Sequence, residues 1–135
     1  MEKSSNVKNL YQVIQSAKLD EAVGIRIDYL TGSDLFSFYG AEIAPHKKVG
    51  AHFHESGIEI YQIVQGQGCM HTGILNAHME VDWQDSFIVQ KGDCFTIEEG
   101  EVHQLDNDHD HPLLLVVGCP KSHLSTNRTV VTGYP

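Results

Sequence analysis

Hydrophobic and polar positions along this chain alternate in short runs rather than at helical spacing. GIRIDYL (24–30), LFSFYGAEI (35–43), GAHFH (50–54), IEIYQIV (58–64) and CMHTGIL (69–75) read as strands. So do DSFIVQ (85–90), DCFTI (93–97), VHQLD (102–106) and PLLLVVG (112–118). Turn residues separate them: Thr31-Gly32-Ser33, Pro45-His46, Ser56-Gly57, Gly66-Gln67-Gly68, Lys91-Gly92-Asp93, Glu98-Glu99-Gly100 and Asp106-Asn107-Asp108. Many short strands with turns between them predict an all-β sandwich or barrel. Two stretches depart from this rhythm. Val7, Leu10, Tyr11 and Ile14 fall at helix spacing and predict a short N-terminal helix within 6–19. NAHMEVDWQDS (76–86) is the weakest strand candidate and reads as a loop or a strand extension carrying Trp83.

The chain's 135 residues fit one domain, and 41% hydrophobic with 20% charged residues is an ordinary globular composition. Nine basic against eighteen acidic residues give a net charge of −9. That balance argues against a nucleic-acid backbone or an anionic membrane surface as partner, since both select basic faces. The N-terminus lacks the apolar core of a signal peptide, and the longest apolar run, Leu113 to Gly118, is too short to span a bilayer. The expected location is cytoplasmic. Cys69, Cys94 and Cys119 form no CxxC pair and read as buried small hydrophobes in a reducing compartment.

AHFHESGIEIYQIVQGQG (51–68) carries the chemistry. Strand side chains alternate, so His52 and His54 share a face. After a turn at Glu55-Ser56-Gly57, the next strand places Glu59, Tyr61 and Ile63 on one face. Two imidazoles and a carboxylate then converge. His103, on the strand that follows Glu98-Glu99-Gly100, offers a fourth donor.

The same residues resemble the cupins, which are double-stranded β-helix (jelly-roll) barrels. The first cupin motif is HxH, three or four residues, Glu, six residues, Gly. His52, His54, Glu59 and Gly66 match it. The second is matched by Gly92, Gly100, His103 and Asn107 with its spacing kept. The resemblance covers roughly 34–120 of a single domain, 1–135. Two turn positions depart: His46 stands where a glycine is usual, and Glu98 where a proline is usual. Glu98 is expected to be a solvated turn residue.

The resemblance implies one divalent transition metal (Fe, Mn, Ni, Zn or Cu) held by His52, His54, Glu59 and His103. Imidazole and carboxylate donors suit that range. Tyr61 is a candidate catalytic residue if it faces the same interior. His71 is a second, as a general acid or base, unless it lies at the surface. Ile63, Phe95 and Leu105 are expected to line an apolar cavity for a small ligand. His109 and His111, in DNDHDHP, are expected to be an exposed turn outside the metal site. His46, His78 and His123 have no sequence partners and read as surface residues.

The resulting expectation is a small metalloenzyme of dioxygenase, isomerase, decarboxylase or lyase type. The alternative is a non-catalytic ligand-binding or sensing module, which the lack of a helix-turn-helix or basic patch in 1–33 disfavours as a regulator. A homodimer is also expected, with Ile25–Leu30 and Thr129–Val131 as candidate strands to add to a partner's sheet.

Overall fold

The computed structural model describes residues 7–135. Helix α1 (Leu10–Ser16) is capped by Asn9, whose side-chain oxygen accepts from the backbone N–H groups of Tyr11 and Gln12. It is shorter than the 6–19 window, and its one buried residue is Ile14. Lys18–Asp20 (β1) instead pairs with the strand that follows, Ile25–Gly32 (β2).

Ten further strands follow among the described residues: β3 (Ser37–Ile43), β4 (Lys47–Lys48), β5 (His52–Phe53), β6 (Glu59–Gln65), β7 (Gln67–Leu75), β8 (Val81–Gln90), β9 (Cys94–Ile97), β10 (Val102–Asn107), β11 (Leu113–Cys119) and β12 (Thr129–Val130). A 3-10 turn, Lys121–Leu124, lies between the last two. One sheet runs β1-β2-β3-β11-β6-β9; the other runs β12-β5-β10-β7-β8, with β4 also on β10. The strand pairs are antiparallel, giving the two-sheeted double-stranded β-helix expected from the sequence.

Position in the sheet explains the sequence patterns. Strand β11 lies between β3 and β6 and is covered on both faces, so it reads as an unbroken apolar run. Strand β6 alternates, with Glu59, Tyr61 and Ile63 buried and Gln62 and Gln65 exposed. Ile43, Ile63, Met70, Ile97, Leu113 and Leu115 form the fully buried centre between the sheets.

The 76–86 segment is a loop followed by a strand extension carrying Trp83, as expected: Asn76 caps the loop by accepting from the N–H groups of His78 and Glu80, and β8 begins at Val81. Other expectations are corrected. Ile25–Leu30 is paired on both edges, with β1 and β3, so it is not a spare strand for a partner; Thr129–Val130 pairs with β5 on one side and keeps its other edge open. Among the cysteines only Cys119 is buried; Cys94 is exposed and Cys69 is intermediate.

Candidate metal centre

Strands β5, β6 and β10 deliver the chemistry. His52 and His103 are directly opposite one another across the β5–β10 pair, and His54 follows His52 on the same face. The three rings pack with centroids 4.3 to 5.3 Å apart. All three are buried: His52 is 6%, His54 4% and His103 1% exposed.

Backbone carbonyls fix the tautomers. His52 Nδ1–H donates to Gly50 O at 2.7 Å, His54 Nδ1–H to Asn127 O at 2.7 Å, and His103 Nδ1–H to Glu101 O at 3.1 Å. A carbonyl can only accept, so in the neutral form of each ring the lone pair is on Nε2. The donor atoms of the three rings lie within 4.8 Å of one another. Nε2 of His54 and of His103 are buried without any hydrogen-bond partner.

Glu59 completes the set. Its Oε2 lies 2.8 Å from His54 Nε2, and its Oε1 lies 3.4 Å from His103 Nε2. Neither contact has hydrogen-bond geometry, so the carboxylate does not satisfy either nitrogen. Electron-rich atoms held this close in a buried site are the signature of a cation site. The residues present therefore fit a divalent metal. Burial, reinforced by the neighbouring His103, pushes the His52 imidazole down to about 3, so it is neutral at ordinary pH.

His123 was expected at the surface and is instead 2% exposed, inside the site. Both of its ring nitrogens face oxygens that can only accept, so the ring donates as an imidazolium, from Nε2 to Ser56 O at 2.7 Å and from Nδ1 to Glu59 Oε2 at 2.9 Å. Its ring stacks on His54 with centroids 3.9 Å apart and planes 3° apart. Burial alone lowers its pKa, but the bonds to Glu59 and Ser56 outweigh this and raise it. Sequence spacing gave no sign of the role, since 64 residues separate His123 from Glu59. The closest signal is Gly57, where a Cβ would stand 3.2 Å from both the His123 ring and Pro120 on a backbone at φ +85°.

A small cavity of about 40 Å³ adjoins the cluster. His52, His54, Glu59 and Tyr61 form its polar end, and Val23, Ile25, Val49 and Val117 are among its apolar walls. Ile63, Phe95 and Leu105 do not line it. Ile63 and Leu105 belong to the buried core and Phe95 packs against it. Tyr61 does share the interior with Glu59, as alternation requires, and stacks on Phe95 with centroids 5.2 Å apart. Burial, with the Glu59 carboxylate beside it, raises its phenol pKa well above the usual value, so it stays protonated. Arg128, a guanidinium in the lining, donates from Nη1 to Asp20 Oδ2 at 2.5 Å.

Other candidates lie elsewhere. His71 is opposite Gln104 on the face of β7 that turns away from His103, whose own neighbour is Thr72. His71 is bonded to Ser86 Oγ at 2.6 Å and Asp106 Oδ2 at 3.2 Å and is covered by the ring of Tyr134. It takes no part in the cluster. His109 and His111 sit in an exposed turn, which Asn107 holds by donating from Nδ2 to the carbonyls of Ile43, Ala44 and His111. His78 is exposed. His46 is exposed at φ +59°, which explains why a glycine suits that position, and its Nε2 contacts Asp110. Glu98 is an exposed turn residue, as expected.

A family model for the cupin domain matches residues 41–119. No curated protein matches the chain in sequence. Solved structures share its fold. An uncharacterized protein with a double-stranded β-helix domain from Klebsiella pneumoniae aligns with a TM-score of 0.73 at 14% identity, over 98% of this chain and 97% of that one. A predicted oxalate decarboxylase from Thermotoga maritima aligns at 0.59 and 21% identity, over 80% and 86%. The oxalate decarboxylase of Lactobacillus farciminis aligns at 0.60 and 21%, over 82% of this chain but 31% of that one.

Proposed function

The chain belongs to the cupin family, and from that premise we propose a small metalloenzyme holding one divalent transition metal through His52, His54, Glu59 and His103. One observation carries this reading: three buried imidazoles spend their Nδ1–H groups on backbone carbonyls and aim their lone pairs together beside a carboxylate. When bound, such an ion would supply Lewis acidity and, for Fe, Mn, Ni or Cu, a redox centre.

The chain's own residues suggest the substrate class. The cavity is small and mostly apolar, so it admits a molecule of few non-hydrogen atoms. Arg128 uses one guanidinium nitrogen on Asp20 and has no other hydrogen-bond partner among the described residues, which leaves donors for a carboxylate. Tyr61, kept protonated by burial, has a hydroxyl to donate to a substrate oxygen. We therefore favour a small organic acid. The oxalate decarboxylase among the fold neighbours takes such a compound, and its 21% identity speaks for the fold alone.

Metal-loaded protein should bind or consume members of a panel of small mono- and dicarboxylates, read by calorimetry with oxygen uptake and product analysis. Arg128→Gln should weaken that response by about tenfold or more, the scale of one charge-assisted hydrogen-bonded pair. Neutral sugars binding as well as acids, unaffected by Arg128→Gln, would refute the acid reading. Tight binding without turnover by any metal form would favour the alternative, a ligand-binding or sensing module.

The location proposed is the cytoplasm. No helix among the described residues is long and apolar enough to cross a membrane. We also propose a homodimer. Beside the open edge of β12, the open edge of β8 is a candidate surface, since it carries the exposed Phe87 and Ile88. Light scattering should give twice the 15.0 kDa chain mass. A monomer at micromolar concentration would contradict it.

A further inference from the structure

The matched cupin domain ends at residue 119, yet the segment after it reaches back onto the metal-ligand strands. β12 pairs with β5, placing Val130 opposite His52 and Thr129 opposite Phe53. The carbonyl of Asn127 takes the Nδ1–H of His54. The Asn127 side chain accepts from Glu55 N–H at 2.8 Å and donates to Ser56 O and Ser56 Oγ at 2.9 and 3.0 Å. His123 bridges Ser56 O and Glu59 Oε2. Two of the four candidate ligands are thus oriented by residues outside the matched domain.

His123 itself is placed with His54 and Glu59 closely enough to be considered a ligand. The stacking excludes this. A metal lies near the plane of the imidazole that binds it, at ~2.0–2.1 Å from the nitrogen. The His54 and His123 planes are parallel to within 3° and their rings are in face contact. Atoms in such contact sit ~3.5–4.0 Å apart, so an ion in the plane of His54 stands about 3 Å or more above the plane of His123. That exceeds the full bond length. One ion cannot be shared by both rings, whereas Glu59 Oε2 lies within hydrogen-bond reach of His123 Nδ1.

We infer that residues 120–131 complete the metal centre, with His123 as the positioning residue that clamps the Glu59 carboxylate and the Asn127 carbonyl as the acceptor that orients His54. The inference rests on the metal reading proposed above. His123 is anchored at Ser56 and occupies one carboxylate oxygen, which fixes the rotamer of Glu59 and the side from which it approaches an ion. Partners of this kind commonly change metal affinity by about 10–100-fold.

The test uses the full-length apo protein titrated with Co(II) against a competing chelator, with the visible spectrum of the bound ion recorded. Wild type, His123→Ala and His123→Gln are compared. His123→Ala should bind Co(II) about 10–100-fold more weakly and with an altered d–d spectrum. His123→Gln, whose amide can still donate to Glu59, should recover part of both. A purely structural role would lower the melting temperature of the apo variants and leave the spectrum per bound ion unchanged, which would overturn the inference. So would wild-type affinity and spectrum in both variants. If His123→Ala does not fold, the His123→Gln spectrum decides alone. Cu(II) electron paramagnetic resonance should show the same number of coordinated nitrogens in wild type and His123→Gln; loss of one would make His123 a ligand and refute the clamp. Wild type that binds no Co(II) would defeat the metal reading and this inference together, whereas normal wild-type binding with unaltered variants defeats this inference only.

Discussion

Chelating the metal-loaded protein at pH 7 is expected to lower its melting temperature by roughly 10 °C. An ion that binds only the folded state stabilises it by about 2.7 kcal/mol at a hundredfold excess over Kd. For a chain of this size that corresponds to a shift of this order. The gap should close as pH falls, because protons compete for the imidazole lone pairs. The apo protein should itself weaken in acid, and the sign follows from His52. Its folded pKa of about 3 lies below the unfolded value of about 6.5. The unfolded chain therefore binds more protons in that window, and stability falls from pH 6.5 toward 3 by up to about 1.4 kcal/mol per pH unit. His123 acts oppositely: its raised pKa contributes stability that is fully present below about 6.5 and is lost only as pH rises through the folded value. It therefore does not offset the acid slope. Thermal melts with and without chelator from pH 4 to 8 check both parts. A chelator-insensitive melt at pH 7, or apo stability that rises on acidification below pH 6, would contradict them.

His52→Ala, His54→Ala and His103→Ala should each reduce metal affinity by at least about a hundredfold. Each removes a ligand and leaves the remaining buried lone pairs without a complete site. The melting temperature of each variant in excess metal should fall to that of its own chelated form. Substituting Glu59 should cost less affinity, because three imidazoles remain. Glu59→Gln is the cleaner variant, since Glu59→Ala also strips buried His123 of the acceptor at its Nδ1. His109→Ala and His111→Ala, in the exposed turn, should match wild type in affinity and melting. Competitive chelator titrations read the whole series. Wild-type affinity in His103→Ala would break the four-ligand assignment.

The sequence made the barrel legible because its signals are local. Period-2 alternation marks β6, an unbroken apolar run marks β11, and glycines stand at the turns between strands. Alternation places His52 beside His54 and Glu59 beside Tyr61, while the full set of four candidate ligands, His103 included, came from the resemblance to the cupin motifs. Long-range relations were not. Nothing local to His123 announces that the chain folds back 64 residues to Glu59. The faces of β7 could not be assigned from sequence either. His71 and Thr72 are both buried there, His71 beneath the tail that brings Tyr134, so burial erases the polar-outward pattern. Nor could alternation show that Val23, Ile25 and Val49, from the β1–β2 hairpin and the loop before β5, line the cavity while Ile63 and Leu105 do not, since all five belong to one core.

The most direct test is the metal content of protein purified without added metal and dialysed, measured by mass spectrometry. Wild type should carry close to one equivalent of a divalent transition metal per chain, and His103→Ala prepared in parallel close to none. Equal contents in the two, or a metal-free wild type that takes up no divalent ion on titration, would contradict the account.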